Sequence, residues 1–358
     1  MSALQALLQQ IAEEHRPLTR EEARNALNAI LTGEPGTVSD LEISALLSTI
    51  AARGETIDEL TGFVQAMRAL SVPIPLTADE RAALVDTCGT GGDGLGTFNI
   101  STGAALVAAA AGAKLAKHGN RGITSKCGSA DVLEAMGVPV ALTPELSADC
   151  LRATGFTFLY APALHPALKR VQPIRRALGF RTIFNLAGPL SNPAGAPAQI
   201  MGVYSPTKLE VVAGVMAQLG IRFGRVVHAR NGIDEIALSP TDTIVIRALS
   251  DHGPPHPFST LVYPEDVGLG SAELAELQGG DTPESNAAIL EAILNGAETG
   301  PKRDVVLLNA AAALEAVGIA ADLREGVARG AEAIDSGAAR ATLEALRNFA
   351  RTLGPAAG

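Results

Sequence analysis

From Ala82 onward the chain adopts a rhythm that few architectures accommodate: short apolar runs alternate with longer helix-periodic segments. Candidate strands fall at 83–87, 114–117, 138–142, 157–161, 199–204, 225–229 and 243–248. Candidate helices fall at 101–111, 129–136, 144–153, 208–219 and 286–294, with several more after Val305. Parallel neighbours need a crossover connection, so this alternation predicts βαβ units and a mostly parallel sheet with helices on both faces. Ligands of such sheets bind in the loops at the carboxyl ends of the strands.

The first 72 residues read differently, as helix throughout. Leu4, Leu7, Leu8 and Ile11 recur at one-faced helical spacing. Thr19 with Glu22, Ser39 with Glu42 and Thr56 with Glu59 each form a capping-box pattern at the head of an apolar-periodic stretch. A small bundle of about four helices follows from these signals. Ser71-Val72-Pro73-Ile74-Pro75 breaks the helix and reads as a linker. The expected class is α/β: a small all-helical domain over 1–72, then a larger α/β domain over 73–358 with a mostly parallel central sheet flanked by helices.

Composition excludes several functions. With 47% hydrophobic and 18% charged residues, the 358-residue chain can bury a substantial core. Trp is absent and aromatics are only 3%, so that core must be Ala, Leu, Val and Ile with Gly at close approaches. The formal charge of −10 opposes general attraction to nucleic acid or anionic lipid. Cys88, Cys127 and Cys150 are widely spaced and make no CxxC pair, so a reducing cytoplasm is expected. The start carries Glu13 and Glu14 and lacks the pattern of a signal peptide. The longest apolar run, 103–113, is about half a membrane span, so no transmembrane segment is expected.

Four elements carry the chemistry. Gly89-Thr90-Gly91-Gly92-Asp93-Gly94 follows a candidate strand and satisfies G-x-G-x-x-G. A dinucleotide site would open a helix at the third glycine and place an acidic residue about 20 positions on. Here Leu95-Gly96-Thr97-Phe98-Asn99 continues the loop, and 105–117 holds no acid. No G-K-[ST] follows either, which removes a P-loop. A phosphate cradle remains, with backbone N–H groups and a helix start at Ile100-Ser101-Thr102 facing one spot. Ser101 and Thr102 can cap that helix, bind phosphate or ligate Mg²⁺.

The second element, Lys117-His118-Gly119-Asn120-Arg121-Gly122-Ile123-Thr124-Ser125-Lys126, gathers cations and hydroxyls around two glycines, with Gly128-Ser129-Ala130-Asp131 opening the next helix. It reads as a second phosphate cradle or as a solvated basic loop. The third, Asn231-Gly232-Ile233-Asp234-Glu235, places adjacent carboxylates at a strand end, where they can ligate a hard cation. The fourth holds Arg175, able to clamp a carboxylate or simply to complement a helix end. No zinc spacing and no G-x-S-x-G elbow appears.

At these elements the sequence resembles the anthranilate phosphoribosyltransferase family. The resemblance rests on Asp86 to Asp93, Thr97 to Thr102, Lys117 to Arg121, Gly128 to Asp131, Arg181-Thr182-Ile183-Phe184-Asn185, Gly188-Pro189-Leu190-Ser191-Asn192-Pro193 and Asp234-Glu235, in the family's order. Gly122, Thr124 and Cys127 are small departures from its pattern. The resemblance implies a pentosyltransferase of tryptophan biosynthesis that moves phosphoribose from 5-phosphoribosyl diphosphate (PRPP) to the amine of anthranilate, releasing pyrophosphate. It implies two Mg²⁺ per subunit, one held by Ser101 and Glu235 and the other by Asp234 and Glu235. Gly89, Gly92, Asp93, Thr97, Asn99, Ile100, Ser101, Thr102, Lys117, His118, Gly119, Asn120, Arg121, Gly122, Ile123, Thr124, Ser125 and Ser129 would line the PRPP site. Gly89, Asn120 and Arg175 would hold anthranilate, and His118 would orient it or take up the released proton. Helices near 165–180 would join the small domain, and a homodimer would form through the helical parts.

Two alternatives stand at this point. A pyrimidine nucleoside phosphorylase shares the architecture but carries a Lys soon after a different Gly-rich loop, where this chain has Asp93 and the 99–102 run. A nonenzymatic nucleic-acid binder is opposed by the charge of −10.

Overall fold

The computed structural model describes residues 4–34, 36–91, 94–122, 126–239, 243–249 and 258–353. Seven strands form one sheet: β1 Leu84–Gly89, β2 Lys114–Gly119, β3 Phe156–Tyr160, β4 Ala198–Gly202, β5 Phe223–Ala229, β6 Thr243–Leu249 and β7 Phe258–Val262. Their spatial order is β3-β2-β1-β4-β5-β6-β7. The pairs from β3 across to β5 are parallel, while β5–β6 and β6–β7 are antiparallel. The chain winds one way through β1, β2 and β3, then restarts on the other side of β1 with β4. The switch point therefore lies between β1 and β4, whose last residues Gly89 and Gly202 are partners in register.

The expected mostly parallel sheet is present, with two corrections. The candidate strand at 138–142 is not a strand. Val138, Val140 and Leu142 are buried and alternate with more accessible neighbours, so the segment is extended and burial-patterned. It lies between two helices with no ladder partner, and Pro139 lacks an N–H to donate. The second correction is β7, for which no strand was expected. Ser259, Thr260 and Leu261 are all exposed at the sheet edge, so the run carries no alternation to read.

The low aromatic content has a packing counterpart. In the helix Ile100–Ala110 nearly every side chain is buried, between the sheet and the helices Pro301–Ala316 and Ala338–Thr352. Ala and Gly permit that approach: a Cβ on Gly103 would fall 2.8 Å from Leu290. The Pro301–Ala316 helix adds Ala310 to Ala313 to the same cluster.

The N-terminal bundle contains the helices Gln5–Ala12, Arg20–Thr32, Asp40–Arg53 and Ile57–Ala69. All three expected capping boxes are formed in both directions, and a fourth, Thr77 with Glu80, starts the short helix Ala78–Ala82. The bundle's apolar cluster includes Val171 and Ile174 and continues through Phe184 and Val212 to Val226 of β5. Phe63 meets Phe184 edge-to-face at 5.7 Å. The expected linker is itself packed: Ile74 is buried, and the Val72 N–H donates to the Leu164 carbonyl at 2.8 Å. No helix among the described residues is long and apolar enough to cross a membrane.

Candidate active site

The site sits at the switch point, over Gly89 and Gly202. The loop after β5 brings Asp234 down onto both glycines: a Cβ on Gly89 would lie 2.7 Å from Asp234 Oδ2, and one on Gly202 1.5 Å from the Asp234 carbonyl oxygen. Asp234 Oδ2 accepts from the Gly91 N–H at 2.9 Å, tying the carboxylate to the glycine loop. That loop is fastened from below, where the Thr90 N–H donates to the Gly202 carbonyl and Thr90 Oγ1 accepts from the Tyr204 N–H.

Ile233, Ile236, Ala237 and Leu238 are fully buried, while Asp234 and Glu235 between them keep partial access. Two carboxylates thus project from an otherwise buried segment. Glu235 Oε1 accepts from the Ser101 backbone N–H at 3.0 Å, at the positive end of the Ile100–Ala110 helix. Burial and the neighbouring Asp234 charge push the Glu235 carboxyl up to about 8.

Lys117 approaches from β2. It is almost fully buried, and its Nζ donates to the Thr87 carbonyl at 2.5 Å and to Ser101 Oγ at 3.3 Å. Burial pulls its ammonium below the ordinary range, opposed by the carboxylates of Asp86, Glu235 and Asp234. Asp86 lies beneath, fully buried, accepting from the His118 N–H at 3.1 Å and from Gln199 Nε2 at 3.2 Å. A small cavity lined by Thr87, Ser101, Glu235 and Asn309 closes this end of the site.

The second loop is held by Asp131, whose Oδ2 accepts from the N–H groups of Gly122 and Gly128, both at 2.9 Å. Gly119 faces Ser129 closely, with a Cβ there 2.4 Å from Ser129 Oγ. Ser129 Oγ donates to the Asn120 carbonyl at 3.3 Å. Arg121 forks onto Glu134 at 2.6 and 2.8 Å and reaches Asp131 at 3.1 Å. Asn99 Nδ2 joins the two loops through the Cys127 carbonyl, while Asn99 Oδ1 and Thr102 Oγ1 are buried without a partner. Thr97 bridges to Gln278, so the segment after residue 270 walls the glycine loop.

His118 is buried with its Nε2 unpartnered, and burial, with His165 and Arg68 beside it, depresses its pKa well below the usual histidine range. Arg175, on the helix Gln172–Leu178, rests 5.2 Å from the Phe184 ring centroid, and burial lowers its pKa.

The structure brings Gly89, Ser101, Lys117, Asp234 and Glu235 into one network. Gly92, Asp93, Ile123, Thr124 and Ser125 lie outside the described residues. Sequence reasoning missed Asn309, Gln199 and His165. Asn309 carried a signal, as the one polar residue in the apolar run from Val305 to Leu314.

A helical bundle joined to a switch-point α/β sheet with a glycine cradle defines a glycosyl transferase of a two-part kind. The glycosyl transferase family's helical bundle domain matches residues 3–71 and its a/b domain matches residues 81–340. An anthranilate phosphoribosyltransferase of Solibacter usitatus is 49% identical, aligned over 98% of this chain and 99% of the relative. The crystal structure of the enzyme of that name from Thermus thermophilus aligns with a TM-score of 0.88 at 41% identity, over 98% of this chain and 100% of the other. The Saccharomyces cerevisiae enzyme, solved in complex with PRPP and Mg, aligns at a TM-score of 0.85 and 26% identity, over 98% and 99%. The chain belongs to the anthranilate phosphoribosyltransferase family.

Proposed function

We propose that this chain transfers the 5-phosphoribosyl group of PRPP to the amine of anthranilate, giving N-(5-phosphoribosyl)anthranilate and pyrophosphate in tryptophan biosynthesis. The observation that carries the reading is the convergence of Gly89, Ser101, Lys117, Asp234 and Glu235 over the switch point.

Mg²⁺ fits this donor set. Asp234 and Glu235 are hard oxygen donors, and Glu235 Oε1 sits on the backbone N–H of Ser101, whose hydroxyl is a further oxygen donor. Mg²⁺ keeps several waters and is bound through one or two carboxylates together with substrate phosphates, a role that Asp234 and Glu235 can fill. Ser101 with Glu235, and Asp234 with Glu235, would hold two ions. Bound there, Mg²⁺ supplies Lewis-acid stabilisation of the leaving pyrophosphate.

The chain's own residues do the rest. Gly89, Gly92, Asp93, Thr97, Asn99, Ile100, Ser101 and Thr102 form one wall of the PRPP site. Lys117 to Ser125 with Ser129 form the other. Departure of pyrophosphate leaves oxocarbenium-like charge on the ribose, so stabilising the leaving group's negative charge is the larger task of the site. Gly89, Asn120 and Arg175 receive anthranilate, Arg175 through its carboxylate. The aromatic amine is neutral at pH 7, so positioning by these groups supplies much of the rate. His118, kept neutral by burial, orients anthranilate or takes up its proton.

In this reading the chain divides into a helical unit, 1–72 with the 165–180 helices, and an α/β unit, 73–358. The helical parts join two copies into a homodimer in the cytoplasm, and Leu41, 82% exposed on the Asp40–Arg53 helix, offers apolar surface there. The deciding assay mixes protein, PRPP, Mg²⁺ and anthranilate and follows anthranilate fluorescence. Loss of signal at a rate proportional to enzyme supports the reading, and a constant signal at micromolar enzyme refutes it.

A further inference from the structure

We infer that Asn309, on the Pro301–Ala316 helix, is the positioning residue that sets Glu235 for its cation, through a two-point clamp on the backbone of Ile236. The inference rests on the proposed metal role of Glu235 and Asp234.

Asn309 is 3% exposed and lines the same small cavity as Ser101 and Glu235, and its amide bonds backbone groups of Ile236 and Val305. Its Oδ1 accepts from the Ile236 N–H at 3.0 Å, and its Nδ2 donates to the Ile236 carbonyl at 2.8 Å. A side-chain amide paired with both polar groups of one residue fixes that residue as a strand neighbour would. A third bond, Nδ2 to the Val305 carbonyl at 2.9 Å, anchors the amide to its own helix. Ile236 directly follows Glu235, so the clamp holds the metal-loop backbone one residue from the carboxylate. At the far end of that side chain, Ser101 N–H holds Oε1. Glu235 is thereby located from two elements, neither of them its own loop.

The same helix grips the strand that feeds the loop. Glu315 pairs with the buried Arg225 of β5. Ala237 is fixed in turn by Thr243 Oγ1, which accepts its N–H at 3.1 Å. The loop therefore cannot shift unless the Pro301–Ala316 helix shifts, and that helix also packs on Ile100–Ala110, which carries Ser101. One helix sets the spacing between Ser101 and Glu235. Removing an outer partner of a metal ligand weakens metal affinity by about 10- to 100-fold.

The test measures PRPP-dependent Mn²⁺ binding by electron paramagnetic resonance, beside the Mg²⁺ dependence of turnover, in wild type, Asn309→Ala, Asn309→Asp and Leu46→Ala. Asn309→Asp keeps size and one acceptor but sets an oxygen against the Ile236 and Val305 carbonyls, so it breaks the donating half of the clamp without opening a cavity. Leu46→Ala lowers stability from within the bundle and controls for that effect. The expected result is Mn²⁺ affinity about tenfold or more weaker in both Asn309 variants. Excess Mg²⁺ should restore part of their turnover, and the affinity in Leu46→Ala should be unchanged. Wild-type Mn²⁺ affinity in the Asn309 variants overturns the inference, whatever their stability. If wild type itself shows no PRPP-dependent Mn²⁺ signal, the metal reading falls and the inference falls with it.

Discussion

Gly202 ends β4 directly beneath Asp234, so close that a Cβ on residue 202 would overlap the Asp234 carbonyl oxygen at 1.5 Å. No rotamer change relieves that contact, because both atoms belong to backbone or Cβ. Gly202→Ala must therefore lift the Asp234–Glu235 loop or bend the end of β4. We expect turnover to fall more than about 100-fold while stability falls by only about 1–3 kcal/mol. Gly270→Ala is the control, since a Cβ there meets nothing within 4 Å. Steady-state kinetics and urea denaturation of both variants decide the matter. Near wild-type kcat in Gly202→Ala would show that the loop tolerates displacement.

The parts of this arrangement differ in how far the sequence discloses them. The capping boxes Thr19–Glu22, Ser39–Glu42 and Thr56–Glu59 were legible because each is a local pattern satisfied within four residues. The parallel half of the sheet was legible from its apolar runs. The antiparallel pairing of β6 was not, because an apolar run reads alike in either direction, and residues 230–239 before it are spent on the Asp234 loop. The Asp234–Glu235 pair alone resembles solvated surface, and only the glycines of β1 and β4, far away in sequence, make it a site. Asn309 escaped notice for the same reason, since its partner Ile236 is 73 residues distant.

His118 and His165 pack with ring centroids 5.1 Å apart, each with an unpartnered buried Nε2. Burial lowers the His165 pKa to about 4 and drives His118 well below its ordinary value. A histidine whose folded pKa is depressed stays neutral in the native state while the unfolded chain takes up a proton. Its stabilising contribution is therefore full above about pH 6.5 and is lost as pH falls from 6.5 toward 4. For His165 alone the loss is about 3 kcal/mol across that window. Thermal melts of wild type from pH 7 to pH 4.5 should show a falling Tm, and His165→Asn should flatten the slope. Parallel slopes for the two proteins would remove His165 from the acid response.

Arg175 tests the anthranilate assignment separately from the metal. Its guanidinium is backed by Phe184, whose ring is 5.2 Å away, and Phe184 is locked in turn by Phe63 of the bundle. A charge-assisted bond to a carboxylate contributes about 1.5–3 kcal/mol. Arg175→Ala should therefore raise KM for anthranilate by about 10- to 100-fold, with KM for PRPP within about twofold. Arg175→Lys should recover little, because a point ammonium lacks the planar fork. An effect confined to PRPP would place Arg175 on the other substrate.

Glu59 separates scaffold from chemistry. It is fully buried in the bundle, yet its carboxylate has partners on every side: the N–H groups of Leu18 and Thr56, each at 3.0 Å, and Arg53 at 2.5 and 2.6 Å. The capping box that starts Ile57–Ala69 is thus also the joint between that helix, the Leu18 segment and the end of Asp40–Arg53. Glu59→Ala strands Arg53 and two backbone donors, and breaking a buried pair in this way costs about 3–5 kcal/mol. The solvent-exposed box at Ser39 makes the comparison, since Ser39→Ala removes one cap and costs about 1 kcal/mol. Urea midpoints should rank wild type, Ser39→Ala, Glu59→Ala in falling order. At temperatures where all three are folded, KM for both substrates should stay unchanged, because neither residue reaches the switch point. A Glu59→Ala midpoint equal to that of Ser39→Ala would mean that the buried carboxylate acts as an ordinary cap and not as a joint between helices.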